Sequence, residues 1–206
     1  MPGFYNDLIT EKSWKTLQEL KNKLDFVLIG GWAVYLYSQA LKSKDIDIIV
    51  NYDQLEKLKA DFEVTKNQRL LKYEARREEV QIDIYLPFYS DLGVPAEEVV
   101  KEVAKRETFA VPTVEMLLIL KQLALEQRGL SAKGQKDKLD ILALINSGEV
   151  DLKNYQKLLE KFKLKYLAKE LEKLIKGTIK IPELRINEHQ WSRKKKELLA
   201  FVKKFD

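Results

Sequence analysis

Three aspartates have the type and spacing to do chemistry. Asp45 and Asp47 lie in Lys44-Asp45-Ile46-Asp47-Ile48-Ile49-Val50, and Asp83 in Gln81-Ile82-Asp83-Ile84-Tyr85. In an extended chain successive side chains face opposite ways, so Asp45 and Asp47 share a face while Ile46, Ile48 and Val50 point into a core. Two carboxylates about 4 Å apart repel by about 1 kcal/mol in water and about 4 kcal/mol near a protein surface. A divalent cation reverses that sign, and Mg²⁺ takes hard oxygen ligands. If the strand of Asp83 is a neighbour, three carboxylates meet on one patch. Such a patch can hold two metals about 3.5–4 Å apart, the setting of phosphoryl and nucleotidyl transfer. The competing reading is plain alternation on a half-exposed sheet.

Upstream, Phe26-Val27-Leu28-Ile29 is an apolar run closed by Gly30-Gly31. Glycine permits a sharp strand-to-helix turn and close approach of a ligand to the main chain. The exposed N–H groups of a helix start suit a phosphate. The segment has neither the G-x-G-x-x-G of a dinucleotide site nor a P-loop G-K-[ST], and a glycine pair can also be simple architecture.

The order Gly30-Gly31, thirteen residues, Asp45-Ile46-Asp47-Ile48 and later Ile82-Asp83-Ile84 resembles the polymerase-β-like nucleotidyltransferase superfamily over residues 26–86. The resemblance implies that Gly30 and Gly31 hold a triphosphate. It further implies that Asp45 and Asp47 bind two Mg²⁺ ions, and that Asp83 binds the catalytic one and helps activate an attacking hydroxyl. Lys44 falls where relatives often carry a polar or basic residue. The reaction implied is transfer of NMP from an NTP, such as ATP, to an acceptor hydroxyl on RNA (a tRNA end), a protein or a small molecule.

Lys121 is odd on physical grounds. Its helical neighbours Leu117, Leu118, Ala124 and Leu125 are apolar, so its ammonium either finds a buried anion or snorkels to water. The stretch Val111-Pro112-Thr113-Val114-Glu115-Met116-Leu117-Leu118 with Lys121, then Lys136-Asp137 and Asp140-Ile141, is similar to stand-alone nucleotidyltransferases that include abortive-infection-type (AbiEii-like) toxins. That resemblance implies that Lys121 contacts phosphates and that Asp137 lies near the nucleotide, with Arg128 and Lys136 as lesser candidates. A toxin role would bring an antitoxin partner. Read without the resemblance, Asp137 is equally a surface or helix-terminal charge.

The elements that must position these groups follow from periodicity. Residues 8–24, 32–41, 52–60 and 96–106 predict helices. Residues 26–29, 45–50, 62–65, 70–75, 80–86 and 108–111 predict strands, with a hairpin turn at 76–79. After Pro112 the pattern is helical, over 113–128, 136–146, 151–162, 164–175 and 188–205, with a polar loop at 131–135 and a stop at Ser147-Gly148. The expected fold is α/β (α+β): a small mixed sheet flanked by helices, residues 1–111, followed by an all-helical region, residues 112–206.

Composition narrows the class. Hydrophobic residues make up 45% and charged residues 33%, enough for a real core. There is no Cys, which excludes disulfides and thiolate metal sites, and the single His189 excludes a histidine metal cluster. No signal peptide or bilayer-spanning run is read, so a cytoplasmic location without membrane association is expected. The net charge of +5 and the basic tail, Arg193-Lys194-Lys195-Lys196 and Lys203-Lys204 with interleaved Tyr155, Phe162, Tyr166, Trp191 and Phe201, suit either an RNA backbone or a solvated face over a core. The rival to an enzyme is a non-catalytic nucleotide- or RNA-binding module on the same fold. A purely structural interaction protein is a further one.

Overall fold

The computed structural model describes residues 7–202, with side chains described through residue 200. Residues 1–6 of the amino-terminal stretch 1–14 read as no signal peptide, and the tail positions Phe201, Lys203, Lys204 and Phe205, lie outside the described residues or side chains. The chain divides after Thr113 into two compact units.

The first unit opens with helix α1 (Asp7–Lys21), which buries Leu17 and Leu20. Strand β1 (Val27–Ile29) runs directly into α2 (Gly30–Ser38), so both glycines belong to the first helical turn rather than to a loop before it. There follow β2 (Ile46–Ile49), α3 (Tyr52–Asp61), β3 (Val64–Asn67), β4 (Lys72–Arg77) and β5 (Val80–Tyr85). A short helix α4 (Ala96–Val99) precedes β6 (Val103–Arg106) and β7 (Phe109–Pro112).

The strands form one seven-stranded mixed sheet in the order β3-β4-β5-β2-β1-β7-β6. Strand β1 pairs antiparallel with β2, and β2 pairs parallel with β5. The register sets Ile46 beside Ile82 and Ile48 beside Ile84, all four fully buried. This apolar row is the core face of the central strands, and the alternate residues are presented on the opposite face. Helix α2 buries Trp32, Ala33, Val34, Leu36 and Tyr37; the Trp32 indole N–H donates to Ser13 Oγ at 2.8 Å and the Tyr37 hydroxyl to the Pro112 carbonyl at 2.8 Å. The helix is buried nearly all round, which is why its sequence shows little amphipathic pattern.

One expected element is corrected. Residues 96–106 do not form a single helix: α4 ends at Val99, and Val103–Arg106 is an edge strand pairing antiparallel with β7 from Val103↔Pro112 to Arg106↔Phe109. The reversal at Glu107-Thr108 is made by Glu107 in left-handed conformation, φ 51°. Val99, Val100 and Val103 sit at helical spacing, and only pairing to a strand already in the sheet breaks that pattern in favour of alternation.

The second unit contains α5 (Val114–Arg128), α6 (Ala132–Ser147), α7 (Leu152–Lys161), α8 (Tyr166–Gly177) and α9 (Glu188–Val202). The expected polar loop at 131–135 is also corrected: Ser131 is the N-cap of α6, its hydroxyl accepting from the Gly134 amide at 3.1 Å, and residues 132–135 are helical. A Cβ on Gly134 would lie 2.0 Å from the Gly129 carbonyl oxygen, so this glycine permits the tight α5–α6 reversal. Gly148 closes α6 in left-handed conformation, φ 79°, as its sequence suggests.

In the tail, Trp191 is buried and donates to the Thr178 carbonyl at 2.9 Å, and Tyr155 is buried and donates to Gln122 Oε1 at 2.6 Å. Lys195 donates to the Lys176 and Thr178 carbonyls at 2.6 and 3.1 Å, capping the end of α8. Part of the basic, aromatic tail is therefore packing and capping. His189 is exposed. No helix among the described residues is long and apolar enough to cross a membrane.

Candidate active site

The parallel pairing of β2 and β5 places Asp47 directly beside Asp83. Neighbouring strands lie about 4.7–4.9 Å apart, so the two carboxylates rise side by side from the face opposite the isoleucine row. Asp45 precedes the first residue of β2, and Ser43 Oγ donates to its carbonyl at 3.0 Å, fixing the entry to the strand. Lys44 lies in the same bend, half-buried.

Gly30 joins this row. Ile29 pairs with Asp47 across β1 and β2, and Gly30 follows with φ 67°. A Cβ there would lie 2.1 Å from Asp47 Oδ2 and 2.7 Å from its Cγ. The carboxylate thus occupies the space where any other residue would place a side chain, at the first residue of α2. The helix start carries unsatisfied N–H groups and positive potential, which favour an anion at this spot. Gly31 is the second residue of the helix and is buried.

Sequence reasoning missed three residues. Lys72 Nζ lies 2.6 Å from Asp83 Oδ2 and 2.9 Å from Glu74 Oε1, and Gln81 Nε2 donates to Asp83 Oδ1 at 2.8 Å. Glu74 is the cross-strand partner of Asp83 in the β4–β5 hairpin, so Asp47, Asp83 and Glu74 form one acidic row across three strands. The Lys72 pKa is raised. Burial is the largest effect and would lower it, but hydrogen bonds and charge from Asp83 and Glu74 together outweigh burial. The signal was present in outline: Gln81 shares strand parity with Asp83, and a two-residue reversal at Glu78-Glu79 sets Glu74 opposite Asp83.

The donor set on this face is carboxylate oxygen, the type Mg²⁺ selects, so the residues fit such an ion in donor chemistry. Among the described residues, no group of three or more His, Cys, Asp or Glu converges at metal-holding distances. Both carboxylate oxygens of Asp83 are turned to Lys72 and Gln81.

Lys121 and Asp137 lie in the helical unit. Lys121 is buried, and its ammonium is 2.9 Å from Asp137 Oδ1 and 2.8 Å from Asp140 Oδ2. Of the two fates read from the sequence, a buried anionic partner and snorkelling, the structure has the first. Asp137 also accepts from Arg128 at 2.7 Å, and Asp140 from Lys136 one turn earlier. Burial is the largest effect on Lys121 and would lower its pKa, but the charges of Asp140 and Asp137 carry it well above the ordinary lysine value. Burial likewise acts to raise Asp140, and Lys121 and Lys136 overcome it, leaving Asp140 below the ordinary carboxylate value. Lys136 is lowered, because for it burial prevails. The cluster ties α5 to α6. A nucleotide contact for Lys121 or Asp137 rests on the sequence resemblance.

No protein-family model matches the sequence, and no curated protein matches it. Solved structures do. A candidate nucleotidyltransferase from H. pylori superposes with a TM-score of 0.54 at 16% identity, covering 98% of this chain and 99% of that one. JHP933 from Helicobacter pylori gives 0.52 at 16% identity, covering 95% and 92%. The antibiotic-resistance factor ANT(2'')-Ia gives 0.53 at 15% identity, covering 79% and 94%. At such identities the likeness is one of fold, and the chain is similar to several low-identity proteins rather than to one branch. A mixed sheet flanked by helices and followed by an all-helical region is thus, in this chain, the nucleotidyltransferase-like fold.

Proposed function

We propose that this protein is a Mg²⁺-dependent nucleotidyltransferase that moves NMP from an NTP to an acceptor hydroxyl. The observation that carries the reading is the juxtaposition of Asp47 and Asp83 on adjacent parallel strands, at the start of a helix headed by Gly30. Three sequence features far apart in the chain come together there.

In this reading the amides at the start of α2, at Gly30 and Gly31, receive the triphosphate. Asp45, Asp47 and Asp83 would hold Mg²⁺, two ions being usual for such a set, which when bound neutralises phosphate charge and acidifies the attacking hydroxyl. Asp83 orients the acceptor hydroxyl and takes up its proton at a carboxylate oxygen. The acceptor oxygen bonds to the α-phosphorus as the bond to the bridging oxygen breaks and pyrophosphate leaves. Lys44 stands beside the acidic pair as a further phosphate contact. RNA is the favoured acceptor, supported by the exposed Arg193 and Lys196 of α9, with a protein or small molecule as alternatives. An abortive-infection-type toxin role with an antitoxin partner, and a cytoplasmic site of action, belong to the same proposal.

Incubation with α-labelled NTPs, Mg²⁺ and total RNA or lysate tests the reading. Label should pass to an acceptor with the wild-type protein. It should vanish in Asp45→Asn and Asp47→Asn variants that keep their melting temperature. Retained transfer in either variant would sink the assignment. One observation favours the second reading, a binding module without catalysis: Asp83 is already engaged by Lys72 and Gln81. NTP binding without transfer to any fraction would support that alternative.

A further inference from the structure

The lysine at the third carboxylate is the feature that the proposed reaction leaves unexplained. Lys72 lies on β4, outside every motif read from the sequence, yet its side chain is 8% exposed and its ammonium is wedged between two carboxylates. It bonds Asp83 Oδ2 at 2.6 Å and approaches Glu74 Oε1 at 2.9 Å. Strand parity puts Lys72 and Glu74 on the same face, and the hairpin register puts Glu74 opposite Asp83. Asn67 Nδ2 donates to the same Glu74 oxygen at 3.1 Å, steadying it. A lysine beside a carboxylate can be plain charge compensation. Here it has a second carboxylate already within reach, and so somewhere to go.

We propose that Lys72 is a resident counter-cation that holds Asp83 until a divalent metal takes its place, with Glu74 as the acceptor to which the ammonium withdraws. This rests on the nucleotidyltransferase reading of the same site. The physical ground is competition: an ammonium and a metal ion cannot share one carboxylate oxygen without strong like-charge repulsion. The cost of withdrawal is small because the ammonium keeps an anionic partner throughout. A rigid lysine whose sole partner was Asp83 would instead be expelled to water or would block the site. Lys72 is therefore a positioning residue. It offsets part of the charge of the acidic row when no metal is bound and makes metal entry the step that frees Asp83.

Two measurements without substrate test this. Mn²⁺ binding to the full chain, followed by the loss of free-ion spin-resonance signal, should be at least tenfold tighter in Lys72→Met than in wild type, and should be lost in Asp47→Asn. On the unmutated protein, acetylation of Lys72 by a small anhydride, read by peptide mass spectrometry, should rise several-fold when saturating Mg²⁺ is added. That second readout needs no variant to fold, and simple charge compensation would not move it. If Mn²⁺ binds wild type and Lys72→Met equally and is lost in Asp47→Asn, the proposal falls while the active-site reading stands. Unchanged Lys72 acetylation with metal demonstrably bound also overturns it. If neither wild type nor Lys72→Met binds Mn²⁺, the active-site reading fails and takes the proposal with it.

Discussion

Replacing Gly30 by alanine probes the geometry of the site without assuming any activity. At φ 67° an L-residue incurs a penalty of about 1–2 kcal/mol. The new methyl would also sit 2.1 Å from Asp47 Oδ2, 2.7 Å from Cγ and 2.9 Å from Cβ, far inside contact distance. Strand β2 is held between β1 and β5, so relief must come from rotating the carboxylate away or shifting the helix. Forced overpacking of this kind costs about 1–3 kcal/mol, so the whole change should destabilise by about 2–5 kcal/mol. In an Asp47→Gly background the three nearest clashing atoms are gone, which leaves chiefly the backbone penalty of about 1–2 kcal/mol. The difference, a coupling of about 1–3 kcal/mol, is the quantity a double-mutant cycle measures. Urea unfolding followed by tryptophan fluorescence serves, in a Trp191→Phe background so that Trp14 and Trp32 of the sheet unit report. Equal costs of Gly30→Ala in both backgrounds, within about 0.5 kcal/mol, would refute the close approach of Gly30 and Asp47.

Two further outcomes concern the buried ion cluster of the helical unit. Lys121→Met should destabilise by about 3 kcal/mol, the lower end of the range for breaking a buried pair, because Asp137 keeps Arg128 and Asp140 keeps Lys136. Thermal unfolding at neutral pH reads this, and an unchanged melting temperature would show that the lysine is not held by those carboxylates. The pH dependence has a definite sign: Asp140 sits below its unfolded value, near 3.8, so its contribution is present above that pH and is lost as the pH falls through the lower folded value. Lys121, raised above 10.5, contributes up to that pH and loses its contribution only in strong alkali. Circular-dichroism melts between pH 2 and 7 should therefore show an acid loss below about pH 4 that is smaller in Asp140→Asn. Parallel curves for the two proteins would count against the shift.

Much of the site was legible in the sequence because strand alternation is a local rule. Ile46, Ile48, Ile82 and Ile84 are all fully buried, as their spacing requires, and Asp47 and Asp83 share the other face. The glycine turn was readable too, since the run ending at Ile29 could continue only by a sharp change of conformation. Less legible were elements whose state depends on a distant partner. The segment at 103–106 has helical spacing and becomes a strand because β7 offers an edge. The segment at 132–135 is polar with a glycine and becomes helical because Ser131 caps it.

The amino-acid sequence by itself determined the composition of each face, the order of the motifs and the change to helices after Pro112, because periodicity and turn chemistry act over a few residues. Tertiary structure alone decided that β2 lies beside β5 in the register that matches Asp47 to Asp83, that Gly30 abuts the Asp47 carboxylate, and that Lys72 closes on Asp83. It also decided the fate of Lys121, whose apolar helical neighbours demand a partner without naming Asp137 and Asp140. These are contacts between different elements of the fold. Their pairing follows from which buried surfaces fit together, and no local pattern encodes that fit.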